Sequence, residues 1–174
     1  MLIIFGGLPG TGKTTIASEL ARRIGAMHLR IDSIEQAILD SGLTSRPINE
    51  AGYLVAYAIA ADNLRIGRTV ITDSVNALPV TRDAWLEVAK RAGVDAMEIE
   101  IKCSDPEEHR RRVENRIVNI PRLNIPRLKL PTWREVVSRE YHPWDRRHIV
   151  VDTARHSVEQ NVEKLRGVLV SRKG

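Results

Sequence analysis

Near the start of the chain, Gly7-Leu8-Pro9-Gly10-Thr11-Gly12-Lys13-Thr14 satisfies the pattern G-x-x-x-x-G-K-[ST] and runs on into Thr15. Each residue type has a chemical reason to stand there. The glycines let successive backbone N–H groups turn inward as an anion nest, and a helix opening at the end of the run adds its partial positive charge. Lys13 would reach the β- and γ-phosphates of a nucleoside triphosphate, and the Thr14 hydroxyl would ligand Mg²⁺. The competing interpretation is a glycine-rich turn that binds nothing, and it leaves the lysine between Gly12 and Thr14 without a purpose. Residues 7–15 are therefore candidate ATP-binding positions, with Lys13 also a candidate catalytic residue.

Two carboxylates could complete such a site. Asp73 ends the apolar run TVITD and Asp32 ends HLRID. The carboxyl ends of parallel strands face the crevice where open α/β sheets bind ligands. Asp73 could hold a Mg²⁺-bound water or contact an acceptor, although Asp73-Ser74-Val75-Asn76 is also turn-prone. Asp32 could accept the proton leaving a hydroxyl acceptor. Asp32-Ser33-Ile34-Glu35 also has the form of a capping box, with Asp32 as N-cap. Arg110, Arg111, Arg112 and Arg116 form a basic helix, followed by Arg122, Arg127 and Lys129 in a proline-punctuated stretch. A guanidinium from this cluster, Arg116 first and Arg112 beside it, could neutralise charge on a transferring phosphoryl group. The alternative is a solvated basic face.

The elements that must carry these residues are legible from periodicity. Short apolar runs at 2–6, 27–31, 69–73, 97–103 and 148–152 read as strands. In the fourth, Met97, Ile99 and Ile101 alternate with Glu98, Glu100 and Lys102, which suggests one wet face, as on an edge strand. Helical spacing joins Ile16, Leu20 and Ile24, then Val80 to Ala92, then Val158 to Leu169. Residues 51–61 are apolar almost all round and predict a buried helix, on which Tyr53 and Tyr57 share a face that could flank an acceptor but reads better as core packing. Three prolines five residues apart forbid a regular helix over 118–131, so that segment reads as an inserted loop. Helices alternating with strands imply an α/β fold with a parallel sheet. His142, Pro143 and Trp144 read as a chain corner, and Cys103 as a buried strand-end residue.

Composition sets the outer bounds. The chain has 174 residues, 43% of them hydrophobic, which suits one domain, 1–174, with a real core. No signal peptide or transmembrane stretch is legible. The single cysteine excludes an internal disulfide and suits a reducing cytoplasm. The formal net charge of +5 suits polyanionic ligands. Aromatic residues make up only 4% of the chain, few for a platform that stacks nucleic-acid bases.

Taken together, GLPGTGKTT, LRID, VITDSVN, DPEEHRRRVENR, PTWREV, YHPWD and HIVVDTA resemble the small P-loop kinases. Within them, the chain is similar to the branch holding polynucleotide 5′-hydroxyl kinases, gluconate kinase, chloramphenicol phosphotransferase and zeta toxins. The resemblance implies a three-layer P-loop NTPase fold with a five-stranded parallel sheet and a short lid at about 117–131. It implies Asp32 as acceptor-side base, Asp73 as the acid near Mg²⁺, Arg112 and Arg116 as lid-entry arginines, and Asp152-Thr153-Ala154 as the turn beside the nucleobase. The expected activity is Mg²⁺-dependent transfer of the γ-phosphoryl group of ATP to a small-molecule hydroxyl. The alternatives are a polynucleotide 5′-hydroxyl kinase, a nucleoside monophosphate kinase, which Asp32 disfavours, and a nucleotide-switched regulatory ATPase.

Overall fold

The computed structural model describes residues 1–42, 50–115 and 130–171. Arg116, Arg122, Arg127, Lys129 and nearly all of the expected lid lie outside the described residues. The chain order is β1 (Leu2–Gly6), α1 (Lys13–Ile24), β2 (Met27–Arg30), α2 (Ile31–Asp40), α3 (Ala51–Arg65), β3 (Val70–Asp73), α4 (Pro79–Arg91), β4 (Ala96–Lys102), α5 (Pro106–Glu114), α6 (Trp133–Val137), β5 (Ile149–Asp152) and α7 (Val158–Ser171). The strands form one parallel sheet in the order β2-β3-β1-β4-β5. Among the described residues no helix is long and apolar enough to cross a membrane.

The three layers follow from strand alternation. Ile3 and Phe5 point to one face, where Ile16, Ala17 and Leu20 of α1 and Val162, Leu165 and Leu169 of α7 close over them. Leu2 and Ile4 point to the other, covered by Ala56, Ala60 and Leu64 of α3 and by Trp85 and Ala89 of α4. All five residues of β1 are buried, so the central strand is clamped on both faces and ends directly in the glycine run.

Several expectations are corrected. The helix over α3 is not buried all round: Gly52, Ala56, Ala60 and Leu64 form its inner stripe, while Leu54 and Val55 are exposed. Val80 of α4 is exposed too. Cys103 is half-buried, one residue beyond β4. Most consequentially, β4 is not an edge strand. It lies between β1 and β5, and Glu98 and Glu100 are buried. Their face is covered by the segment running from Tyr141 to His148. Tyr141 Oη donates to Glu100 at 3.0 Å, His148 Nε2 lies 3.3 Å from the same carboxylate, and Arg146 lies 3.9 Å from Glu98.

Arg82 holds that segment in place. It is fully buried, yet its guanidinium faces carbonyls rather than a carboxylate. Nε donates to Asn76 O at 2.8 Å, Nη2 to Ala77 O and His142 O, and Nη1 to Pro143 O. Trp144 and Tyr141 stack on it at 4.5 and 5.6 Å, adding cation–π attraction. Asn76 itself adopts φ 49° and donates its amide to Phe5 O at 2.7 Å, so one turn joins β1, β3 and the 141–148 segment. The expected corner at His142–Trp144 is present, and its anchor lies sixty residues upstream.

Arg82→Ala strands the carbonyls of Asn76, His142 and Pro143 around a cavity, Ala77 O keeping the His142 N–H, and should lower the unfolding free energy by about 3–5 kcal/mol. Arg82→Lys should fall between it and the native protein, both read by urea titration with an unchanged m-value. A loss below about 1 kcal/mol for the alanine variant would show that the corner is held elsewhere.

Candidate functional site

The glycine run forms a closed loop around the end of β1. Gly7 N donates to Val75 O, and Leu8 O accepts from the Thr11 hydroxyl at 2.9 Å and from Lys13 Nζ at 3.0 Å. Gly12 takes φ 91° as the N-cap of α1, so the helix starts at Lys13, directly after the loop. Lys13 is buried. Thr11 O accepts from the Thr153 hydroxyl at 2.8 Å, which docks the turn after β5 onto the loop. Arg112 continues this chain of contacts. It donates to the Thr153 hydroxyl at 2.8 Å and the Thr153 carbonyl at 3.1 Å, while Glu108 accepts from its Nε.

Asp73 sits at the end of β3, next to β1, and is 3% exposed. Burial by itself would raise its carboxyl. The hydrogen bond from His28, the charge of Lys13 and the hydrogen bond from Thr14 outweigh that and hold it below the usual carboxylate range. His28 Nε2 is 3.3 Å away, reaching across from β2. Asp73 is thus an anion between a lysine and a threonine hydroxyl. Oxygen donors of this hardness suit Mg²⁺, which commonly completes its shell with water and substrate phosphates. The residues present therefore fit that ion.

Asp32 is placed differently from the capping-box expectation. Arg30 is the N-cap of α2, no side chain caps it, and Asp32 lies in the first turn. Its carboxylate accepts from Arg30 at 3.2 Å. One helical step later, Glu35 projects from the same face. A cavity of about 260 Å³ lies between these acids and the loop, lined among others by Pro9, Lys13, Thr14, Asp32, Glu35, Tyr53, Asp73 and Arg139. Lys13, Thr14, Asp73 and Asp32, four of the positions singled out by sequence, thus share one space, whereas Arg112 is engaged with Thr153 outside it.

Glu35, Tyr53 and Arg139 are absent from the sequence-derived set. Glu35 is legible in the sequence only as a capping partner, while Tyr53 is legible as a residue that could flank an acceptor but reads better as core. The i, i+3 spacing of Asp32 and Glu35 was the signal that could have joined them. Burial, then the neighbouring charge of Asp32, raises the Glu35 carboxyl above its ordinary value, against a weaker pull from Arg139. Its position depends on Gly52: a Cβ there would lie 2.4 Å from Glu35 Cγ.

The two acids should therefore titrate stability with opposite signs. Asp73, lowered on folding, stabilises above its unfolded value near 3.8 and loses that contribution as pH falls through its folded value. Glu35, raised on folding, costs stability once pH exceeds its unfolded value near 4.5, and the cost is complete above its folded value. At pH 7 Asp73→Asn should melt lower and Glu35→Gln higher than the native protein. The Glu35 difference should shrink as pH falls toward 4.5, whereas the Asp73 difference should persist to about 3.8 and shrink only below it, trends that thermal unfolding from pH 8 to below pH 3 would follow.

Comparison with known proteins agrees with this architecture. The family described as AAA domain matches residues 2–139. Uncharacterized protein Rv2004c of Mycobacterium tuberculosis is 33% identical over 115 residues, covering 59% of this chain and 23% of that protein, so the chain spans under a quarter of that relative. Among solved structures, a candidate kinase from Chloroflexus aurantiacus matches with a TM-score of 0.75 and 23% identity, covering 98% of this chain and 96% of that one. Kti12 of Chaetomium thermophilum, in complex with ADP-AlF3, matches at 0.65 and 23% identity, with 95% and 97% covered. A gluconokinase from Sinorhizobium meliloti matches at 0.62 and 14% identity, with 99% and 97% covered. At such identities the structural likeness establishes the fold. With its sheet order, its phosphate loop and the span of the family match, the chain belongs to the AAA-domain family and has the P-loop NTPase fold of the small P-loop kinases.

Proposed function

We propose that this protein is a cytoplasmic Mg²⁺- and ATP-dependent kinase whose acceptor is a hydroxyl of a small molecule. The observation that carries this reading is the single cavity of about 260 Å³ walled by Lys13, Thr14 and Asp73 on one side and by Asp32, Glu35, Tyr53 and Arg139 on the other. A pure nucleotide switch has no need of a second, acid-lined wall facing its phosphates. The likeness to a gluconokinase supports the same class.

Loop amides and Lys13 would hold the β- and γ-phosphates. Mg²⁺, when bound, neutralises phosphate charge; Thr14 would ligand it, with Asp73 holding one of its waters. Asp32 would orient the acceptor hydroxyl and take its proton as the new P–O bond forms and the bond to the leaving ADP oxygen breaks. Arg116 remains the first choice for neutralising developing charge. Arg112, held by Thr153, would support the nucleotide side of the loop.

Phosphoryl transfer from γ-labelled ATP to a panel of nucleosides, sugars, aminoglycosides, nucleoside monophosphates and a 5′-hydroxyl oligonucleotide tests the reading. Label should reach one class of small hydroxyl compound. Asp32→Asn should lower kcat about 100-fold or more while nucleotide binding persists, and Lys13→Ala should lose both. Label released only as free phosphate, whatever the acceptor and regardless of Asp32→Asn, would instead mark a regulatory ATPase.

A further inference from the structure

His109 belongs to α5, outside the glycine run, and no part of the proposed chemistry requires it. It is nonetheless buried, 7% exposed, and its Nε2 lies 2.8 Å from Pro9 O in the phosphate loop. A carbonyl can only accept, so Nε2 carries the proton and donates. One turn further along α5, Val113 packs on the same loop. A Cβ on Gly10, which has φ +84°, would lie 2.5 Å from Val113 Cγ2 and 3.3 Å from His109 Cδ2. The other side of the imidazole meets Trp133, edge-on at 5.1 Å and 80°. Trp133 opens α6, whose flanking residues Leu130, Pro131 and Arg139 line the 260 Å³ cavity together with Pro9.

From this arrangement we infer that His109 is a positioning residue for the phosphate loop, tying Pro9 to the segment that walls the acceptor side. A P-loop binds anions only when its carbonyls point away from the phosphates and its N–H groups point toward them. The His109 bond fixes the Pro9 carbonyl outward, and the imidazole spans from that carbonyl to Trp133. Loop geometry and the placement of α6 are therefore set by one side chain. The inference rests on the proposed nucleotide-binding role of the loop.

Two substitutions separate positioning from packing. His109→Phe keeps a ring between Gly10 and Trp133 but removes the donor. His109→Gln removes the ring and restores an N–H donor of similar reach. Calorimetric titration with Mg²⁺ and the non-hydrolysable analogue AMPPNP, alongside thermal unfolding without nucleotide, should show His109→Phe weakened about tenfold in affinity with near-native melting. His109→Gln should melt lower yet bind more tightly than His109→Phe. The reverse order, with phenylalanine binding like the native protein and glutamine impaired, would reduce His109 to a packing residue and overturn the inference. Absence of binding by the native protein itself would instead defeat the kinase reading on which the inference stands.

Discussion

The outward-facing carbonyls of the phosphate loop are the constraint on which the rest of the molecule depends. A loop whose N–H groups converge on an anion must turn its C=O groups the other way, and buried carbonyls need donors. Leu8 O takes Thr11 and Lys13, Pro9 O takes His109, Thr11 O takes Thr153, and Gly12 O takes Ile16 N at the start of α1. These donors come from the loop itself, α5, the turn after β5 and α1. The nest is thus assembled by distant parts of the chain, and its shape exists only once the sheet has ordered them.

The same logic of carbonyls meeting cations recurs on the far side of the sheet. The Tyr141–His148 segment closes over Glu98 and Glu100 of β4. Glu98 and Glu100 are tolerated inside because Arg146, His148, Lys102 and Tyr141 reach them. Arg82, buried among carbonyls and aromatic faces, locks that cover to the turn after β3. That turn follows Asp73 directly, so the corner also steadies the acid beside Lys13.

The wall of the cavity formed by Asp32 and Glu35 shows the opposite balance. Glu35 lies over Gly52 in a position that burial and Asp32 make unfavourable for a charge. Side chains held against their own stability preference tend to mark functional sites, since selection for packing alone would remove them. Asp73 is also buried, yet His28, Lys13 and Thr14 compensate it fully. One acid is compensated by its neighbours and the other is not.

By itself the sequence determined the layers and the phosphate side. Apolar runs and helical spacing located all five strands to within one residue at each end, and the spacing of Gly7, Gly12, Lys13 and Thr14 announced the nest, because both are local patterns with a period or a fixed offset. Asp73 was legible as a strand-end acid for the same reason, whereas Asp32, read as ending its strand, lies in the first turn of α2. Tertiary structure alone decided the remainder. Whether Glu98 and Glu100 met water depended on Arg82 and Arg146, far away in sequence. Whether Leu54 and Val55 were core depended on which stripe of α3 the sheet received. That Glu35, Tyr53 and Arg139 share one cavity, and that His109 reaches Pro9, depended on how α2, α3, α5 and α6 pack around the end of β1. Such contacts join residues a hundred positions apart or more, and no periodicity or motif encodes a distance of that kind.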